Sequence, residues 1–340
     1  MTSDVVMNGR VLLVPANGQK RVAEEIAARL SLPAVAPPAR FASGIKGHLW
    51  EQAVLPPRLH GRPLWSPSTS APVLYRHQVV TVHDIGFVDV PQFYAPRFAS
   101  TYRRIVAGFI GRVRHIVTVS RFSAARIIAH YGIPPENVTP IYPGIAAGFH
   151  IRSEAEIAAI RARHGLDDHP YIVAFSGADP RKNTAGILHA WAGLGHAGRL
   201  VLYGRQSNAA VFGAGKAMPD PSGVVRVGGI GDDELATLYS GSAGMVFPSF
   251  YEGFGLPIVE AAASGAPVIA SDRGAMREVA PASARLVDPE DVEALGAAMA
   301  AALAEHPSPA DRRALVAETA RYSWASAADD YRRLFAHIFA

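Results

Sequence analysis

Two carboxylates stand eight residues apart, Glu252 and Glu260 in "SFYEGFGLPIVEAAASG", flanking a glycine turn, a proline and a run of small apolar residues. The preceding "GMVFPS" reads as a strand, and Pro257 suits the first helical position, where its missing N–H costs nothing. Gly265 stands where helices commonly stop in a left-handed residue. The segment is therefore strand, glycine loop and short helix, with Glu252 in the loop and Glu260 about one turn into the helix. A hydrolytic pair of acids would have to lie roughly 5 to 9.5 Å apart across a glycosidic bond. Eight helical residues rise about 12 Å and the proline keeps Glu252 off the helix, which disfavours that chemistry. Gly253 and Gly255 instead let backbone N–H groups approach a ligand, with the positive end of a helix behind them. Such a cradle suits a phosphate, and the acids on either side would accept hydroxyls, one for each end of a nucleotide sugar. Glu260 precedes "AAASG", a small face expected to be buried, where an idle carboxylate would be costly.

Other loops that follow strands carry further candidates. "FSGADPRKNTAG" puts Arg181 and Lys182 just before a helix near Thr184, with Asn183 as its cap. Two cations and a helix start would stabilise a diphosphate leaving group as its charge develops. "QVVTVHDIGF" places His83 and Asp84 after a strand, where His83 reads either as a cleft residue or as a structural histidine. Ser120, in "TVSRFSAARII", reads as a helix cap or as a cleft residue, and Arg205 in "LYGRQSN" as a phosphate contact.

The elements that must position these residues alternate between short β-rich runs and helical patterns, the mark of parallel sheets with crossover helices. In the first half, strands are expected at 11–15, 78–82, 115–119 and 137–142, with helices near 20–30, 94–110 and 121–130. Residues 31–72 contain eight prolines and cannot form one regular element. A break falls at "YPGIAAGFH", after which Ser153 and Glu156 form a capping box for the helix "EAEIAAIRARHG". The rhythm then restarts: strands at "YIVAF", "RLVLYG", "VVRV", "GMVF" and "PVIA", helices from Thr184, Asp233 and Pro257, and three closing helices near 289–303, 308–320 and 325–338. Two doubly wound halves are implied, each binding ligands beyond the carboxyl ends of its strands.

Composition narrows the function classes. The chain has 340 residues, 49% hydrophobic and 18% charged, which describes a well-packed globular protein of about two domains. It has no cysteine, which excludes disulfides, thiolate metal sites and cysteine nucleophiles and agrees with a cytoplasmic address. No export signal or spanning segment is read along it. A net charge of +4 and a pI near 9.4 favour anionic partners, although no nucleic-acid-binding module is present. No D-x-D pair for a metal-bound sugar nucleotide occurs. The motifs G-x-x-x-x-G-K-[ST], G-x-S-x-G and H-E-x-x-H are absent, as is G-x-G-x-x-G after the first strand.

With those residues in view, "FPSFYEGFGLPIVEAAASGAPVIASDRGAMREVA" closely resembles the signature of the retaining glycosyltransferases of family 4, also called group 1. "GADPRKN", "VHDIGF", "VSRFSAARII" and "VTPIYPGI" resemble other segments of that family in the same order, so the likeness covers most of residues 45–340. The resemblance implies an α/β chain with the GT-B fold, two Rossmann-like domains facing across a cleft. Residues 1–148 would form an acceptor-binding domain joined by the returning helix 325–340, and residues 149–324 a nucleotide-sugar-binding domain. By position, Glu260 is expected to accept the ribose hydroxyls, and Glu252, Gly253, Phe254, Gly255 and Leu256 to contact sugar and diphosphate. Lys182 with Arg181 is expected to bind the diphosphate, helped by Arg205, and His83 to touch the transferred sugar. Asp84, Ser120 and Asn17 are candidates for acceptor or cleft contacts. Ala178 stands where many members have arginine, and the diglycine loop common after the first strand is missing.

The expected activity is metal-independent, retaining transfer of a hexose, mannose from GDP-mannose, to a glycan or lipid-linked saccharide in polysaccharide biosynthesis, with no cofactor. A nucleotide-sugar epimerase and a non-catalytic glycan- or partner-binding scaffold are the alternatives on the same fold. Arg97, Arg103, Arg104, Arg112 and Arg114 lie among apolar residues. They read either as a solvated basic face or as peripheral contact with an anionic membrane at the inner face of the plasma membrane.

Overall fold

The computed structural model of the chain describes residues 4–15, 17–177, 179–195, 198–204, 219–305 and 307–340. It divides into two compact units. Unit 1 comprises Met1–Pro91, Pro96–Gly144 and Tyr322–Ala340, and unit 2 comprises Gln92–Ala95 and Ile145–Arg321.

Unit 1 is built on a parallel six-stranded sheet in the order β2-β1-β3-β4-β5-β6. Its strands are β1 (Val6–Asn8), β2 (Ala34–Val35), β3 (Leu64–Ser66), β4 (Gln78–Thr81), β5 (His115–Thr118) and β6 (Val138–Pro140). The first strand differs from expectation. The apolar run at 11–15 is not β-structure: Gly9–Leu13 is a 3-10 turn, capped by the Asn8 side chain accepting from the Arg10 N–H at 3.3 Å. Gly9 sits so close to the neighbouring strand that a Cβ there would meet that of Ala36 at 2.9 Å, and buried "VMN" just upstream takes the place in the sheet. The proline-rich stretch is broken into short pieces, among them β2, β3, a helix at Gly44–Leu49 and a π-turn at Trp50–Val54.

The helix Trp324–Ile338 completes this unit's core. Tyr331 and Phe335 are fully buried against Trp65, with ring centroids 5.1 and 6.1 Å away. The Tyr331 and Trp65 polar tips converge on Thr81 Oγ1, at 3.1 and 3.0 Å. Where the chain leaves unit 1, Gly144 packs on the start of this helix; a Cβ there would lie 2.2 Å from the Trp324 nitrogen.

The chain leaves β1 for β2 on one side and returns past it to β3 on the other. Ligands of open α/β sheets gather at such a divide. Here a side chain with no exposure fills the polar cluster beside it: Glu51 accepts from Asn8 Nδ2 at 2.7 Å, from Arg10 Nη1 at 3.0 Å and from the Ser70 hydroxyl, with His48 alongside. Burial raises its pKa, but His48, Arg10, Ser70 and Asn8 together outweigh that and hold it below the ordinary carboxylate value.

Unit 2 repeats the architecture with a parallel sheet in the order β12-β11-β10-β7-β8-β9. The strands are β7 (Tyr171–Phe175), β8 (Arg199–Tyr203), β9 (Val224–Gly228), β10 (Gly244–Phe247), β11 (Val268–Ser271) and β12 (Arg285–Val287). The Ser153–Glu156 capping box opens the helix Glu154–His164. A short helix, Gly274–Val279, and β12 add to the elements read from sequence. The central strands β7 and β10 are buried along nearly their whole length, as double-sided coverage of a parallel sheet requires. Among the described residues no helix is long and apolar enough to cross a membrane.

Two outcomes follow. Gly144→Ala is expected to destabilise the chain by about 1–3 kcal/mol, read as a lowered Tm, because a methyl group cannot fit against backbone. Gly111→Ala, which meets open space, should leave Tm unchanged. Because the folded-state pKa of Glu51 is depressed, its contribution is complete above its unfolded value near 4.5 and is lost as pH falls through the lower folded value. Glu51→Gln should therefore cost about 3–5 kcal/mol at neutral pH by leaving Arg10 without its counter-charge, and melting curves should show a flatter acid limb.

Candidate functional site

In unit 2 the chain runs from β7 to β8 and β9 on one side, and through β10, β11 and β12 on the other. The divide lies between β7 and β10, which are paired in parallel through Val173 and Met245. Their two carboxyl-end loops therefore emerge side by side. One carries "GADPRKN" and the other "FYEGFG", and the structure joins them: Lys182 Nζ pairs with Glu252 Oε1. Both side chains are largely buried, at 16% and 12% exposure, and the ammonium lies 4.9 Å from the Phe247 ring centre and 5.4 Å from that of Phe175. Two aromatic faces and one carboxylate thus hold a cation at the strand ends. A second tie fixes the loops to each other, the Phe250 N–H donating to the Arg181 carbonyl at 2.8 Å.

Arg181 is placed differently from its neighbour. Its guanidinium is buried and donates to both Asp179 oxygens, at 3.2 and 2.8 Å, and to the Tyr94 hydroxyl at 2.7 Å, whose ring it also overlies. Those bonds tie the guanidinium into its own loop. The Asp179 side chain also caps the 3-10 turn Pro180–Lys182, and Asn183, in the left-handed region at φ +56°, caps the helix Thr184–Ala192. The turn that aims Lys182 is therefore held at both ends.

On the other loop, Gly255 has φ +106°, a conformation that L side chains rarely adopt, and opens the helix Leu256–Ala263. The helix begins at Leu256, so Pro257 is its second residue and not its first. Gly253, Phe254 and Leu256 line this entry. Gly265, at φ +76°, follows the helix as its left-handed stop. Glu260 lies on the buried face, 6% exposed. Close by, the hydroxyls of Tyr203 and Tyr239 share a 2.7 Å hydrogen bond, and burial, aided by the Glu260 charge, pushes both phenol pKa values up. Gly204, at φ +131°, ends β8 against the Ser176 carbonyl, where a Cβ would come within 2.1 Å. Arg205 and Ala178 lie outside the described residues.

In unit 1, His83 follows β4 and is buried. Its Nε2 lies 2.9 Å from the Pro67 carbonyl, which can only accept, so Nε2 carries the proton and Nδ1 is the basic nitrogen. Burial holds its pKa below the ordinary histidine value, against the opposing pull of the Pro67 carbonyl and Asp84. Asp84 accepts from the Gly86 N–H at 2.8 Å, and Ser120 caps the helix Arg121–Tyr131 by accepting from Ser123. Asn17 caps the helix Gly18–Leu30 through the Lys20 N–H at 2.9 Å. The Thr118 hydroxyl donates to the His83 carbonyl, so the β4 and β5 ends are tied.

Sequence reading missed Asp179, Tyr94, Phe175, Phe247 and the Tyr203–Tyr239 pair. Only Asp179 had a local signal, an acid two residues before Arg181 at a turn followed by proline. The others reach their partners across the fold.

Two family models match the chain in order: Glycosyltransferase Family 4 over residues 56–149, and Glycosyl transferases group 1 over residues 156–321. The O-antigen chain mannosyltransferase B of Escherichia coli is 30% identical over 237 residues, covering 68% of this chain and 62% of that protein. The MMP alpha-(1->4)-mannosyltransferase of Mycolicibacterium hassiacum is 32% identical over 196 residues, covering 55% and 45%. The chain thus spans less than two thirds of the length of these curated relatives. Anabaena HepE, solved in complex with UDP, shares the fold at a TM-score of 0.76 and 17% identity, over 98% of this chain and 99% of that one. With both models matched in chain order on two parallel-sheet units, the chain belongs to the family 4, group 1 glycosyltransferases and carries the GT-B fold.

Proposed function

We propose that the protein transfers a hexose, mannose in the first instance, from a nucleoside diphosphate sugar to a saccharide acceptor in glycan biosynthesis, with retention of anomeric configuration and no metal ion. The observation that carries this reading is the Lys182–Glu252 pair at the β7/β10 divide, a partly buried cation held where a diphosphate would sit. In the free enzyme Glu252 balances the ammonium. When a donor enters, Lys182 exchanges that carboxylate for the diphosphate, and Glu252 becomes an acceptor for sugar hydroxyls. Backbone N–H groups at Gly253, Phe254 and Gly255 add donors at the helix start. Glu260 accepts the ribose hydroxyls. Arg181, already bound to Asp179 and Tyr94, acts by holding the turn that aims Lys182. Its positive field still favours an anion nearby.

In the transfer step the bond from the anomeric carbon to the diphosphate oxygen breaks as the acceptor oxygen bonds to the same carbon. The acceptor's proton passes to the departing phosphate oxygen, giving a glycoside and a nucleoside diphosphate. Lys182 stabilises the charge that grows on that oxygen. The mannosyltransferase relatives support the choice of sugar, and GDP is the expected nucleotide.

Thermal unfolding with UDP, GDP, dTDP and ADP in EDTA tests the donor site. A nucleotide present at about 100 times its Kd stabilises by about 2.7 kcal/mol. The expected result is a shift with GDP that Glu260→Ala abolishes; no shift with any nucleotide would remove the donor assignment. In a transfer assay, Lys182→Ala should lower kcat about a hundredfold or more. Glu252→Gln, which keeps the shape and loses the charge, should lower kcat while nucleotide binding changes by only a few-fold. An unchanged kcat in Lys182→Ala would separate the ion pair from the chemistry.

A further inference from the structure

Four residues from the first half of the chain, Gln92–Ala95, belong to unit 2. Proline stands on either side of them: Pro91 opens the 3-10 turn Pro91–Phe93, and Pro96 opens the helix Pro96–Phe109. A proline ring fixes its own backbone angle, so the direction in which this segment enters and leaves is set at both ends. Its two aromatic residues go to different loops. Phe93 stacks on Phe250 of the loop after β10, with ring centroids 5.2 Å apart and planes at 15°. Tyr94, 8% exposed, serves the loop after β7: its hydroxyl accepts from Arg181 Nη1 at 2.7 Å and its ring centre lies 5.0 Å from the guanidinium carbon.

These contacts close on themselves. Phe250 donates its N–H to the Arg181 carbonyl at 2.8 Å, so Phe93, Phe250, Arg181 and Tyr94 form a ring of four residues with each in touch with the next. Lys182 directly follows Arg181, and Glu252 lies two residues beyond Phe250. One side of the ring is a single peptide unit, whose Cα atoms are about 3.8 Å apart, and it spans the gap between the two loops. Asp179 differs in kind, since it binds Arg181 within the same turn and leaves the other loop untouched.

We propose that Phe93 and Tyr94 are positioning residues that fix the spacing of the two donor loops, and through it the placement of Lys182 and Glu252. The proposal rests on the donor reading of that pair. In that reading Lys182 and Glu252 part when a diphosphate enters, so their own ion pair cannot set the spacing of the loaded site. The contacts of Phe93 and Tyr94 involve neither side chain and hold the loops in both states. The need is steep, because a misplacement of about 1 Å in such a site costs about a hundredfold in rate.

Binding of GDP and of guanosine, measured by calorimetry on the full chain, tests the clamp. Guanosine lacks the diphosphate and so does not report on Lys182. Lys182→Ala should weaken GDP about tenfold or more, as expected for the loss of a charge-assisted contact. Tyr94→Phe, which keeps the ring and loses the hydroxyl, and Phe93→Ala should each weaken GDP about fivefold and leave guanosine unchanged, whereas Phe93→Tyr, which retains the stacking ring, should bind GDP as the wild type does. In the Lys182→Ala background Tyr94→Phe should have no further effect, since a residue that acts through another is silent once that one is gone. Tyr94→Phe carries the test should Phe93→Ala fail to fold. Wild-type GDP affinity in both clamp variants overturns the clamp and leaves the donor reading standing, provided that Lys182→Ala is weakened. Equal losses for GDP and guanosine, or a full additive loss in the Lys182→Ala background, also overturn it by assigning the aromatic pair to folding alone. No wild-type GDP binding, or unchanged GDP binding in Lys182→Ala, removes the donor reading and the clamp with it.

Discussion

Parallel pairing of β10 with β7 in the middle of the second sheet is the constraint on which the candidate site rests. Parallel strands must be joined by crossovers, so every carboxyl end lies on one edge of the sheet. At this pair the crossovers leave in opposite directions, the arrangement at which ligands of open α/β sheets gather. Two loops separated by some seventy residues of sequence are thereby forced together, and Lys182 meets Glu252. The glycine at 255 and the asparagine at 183, both at positive φ, turn each loop sharply into the helix that follows.

The cation at that edge is held with unusual thoroughness for a surface loop. Phe175 and Phe247 are the last residues of β7 and β10, so the aromatic floor under Lys182 comes from the sheet itself. Arg181 has its hydrogen-bonding groups turned inward onto Asp179 and Tyr94, which stiffens the turn from beneath. Arg181 is thus bound into its own turn, while Lys182 reaches across to the neighbouring loop. Under the proposed reading, a cation fixed in place before the reaction loses no orientation energy as charge develops.

The two units share an architecture and differ in what occupies the divide of the sheet. In unit 1 the place beside β1 and β3 is taken by Glu51 with Asn8, Arg10, His48 and Ser70. In unit 2 the corresponding place holds the Lys182 ammonium paired with Glu252.

Much of this was legible in local pattern. "GMVF" and "YIVAF" are strands, Ser153 with Glu156 caps a helix, and Asn183 and Gly265 bound theirs, because each rests on interactions within a few residues. The apolar run at 11–15 misled for the same reason: its hydrophobicity suggested a strand, whereas the Asn8 cap and the close approach of Gly9 to Ala36 made it a turn. Lys182 and Glu252 could be named from residue type and from family likeness. That Arg181 faces inward while Lys182 faces the loop depended on Asp179 and Tyr94, and the burial of Glu51 depended on residues 43 positions before it and 19 after it. Residue types and short-range spacing established the candidates and most of the elements. Which partner each cation takes, Asp179 and Tyr94 for Arg181 and Glu252 for Lys182, was settled by the folded chain, since a charge takes its place from the partners that folding brings to it.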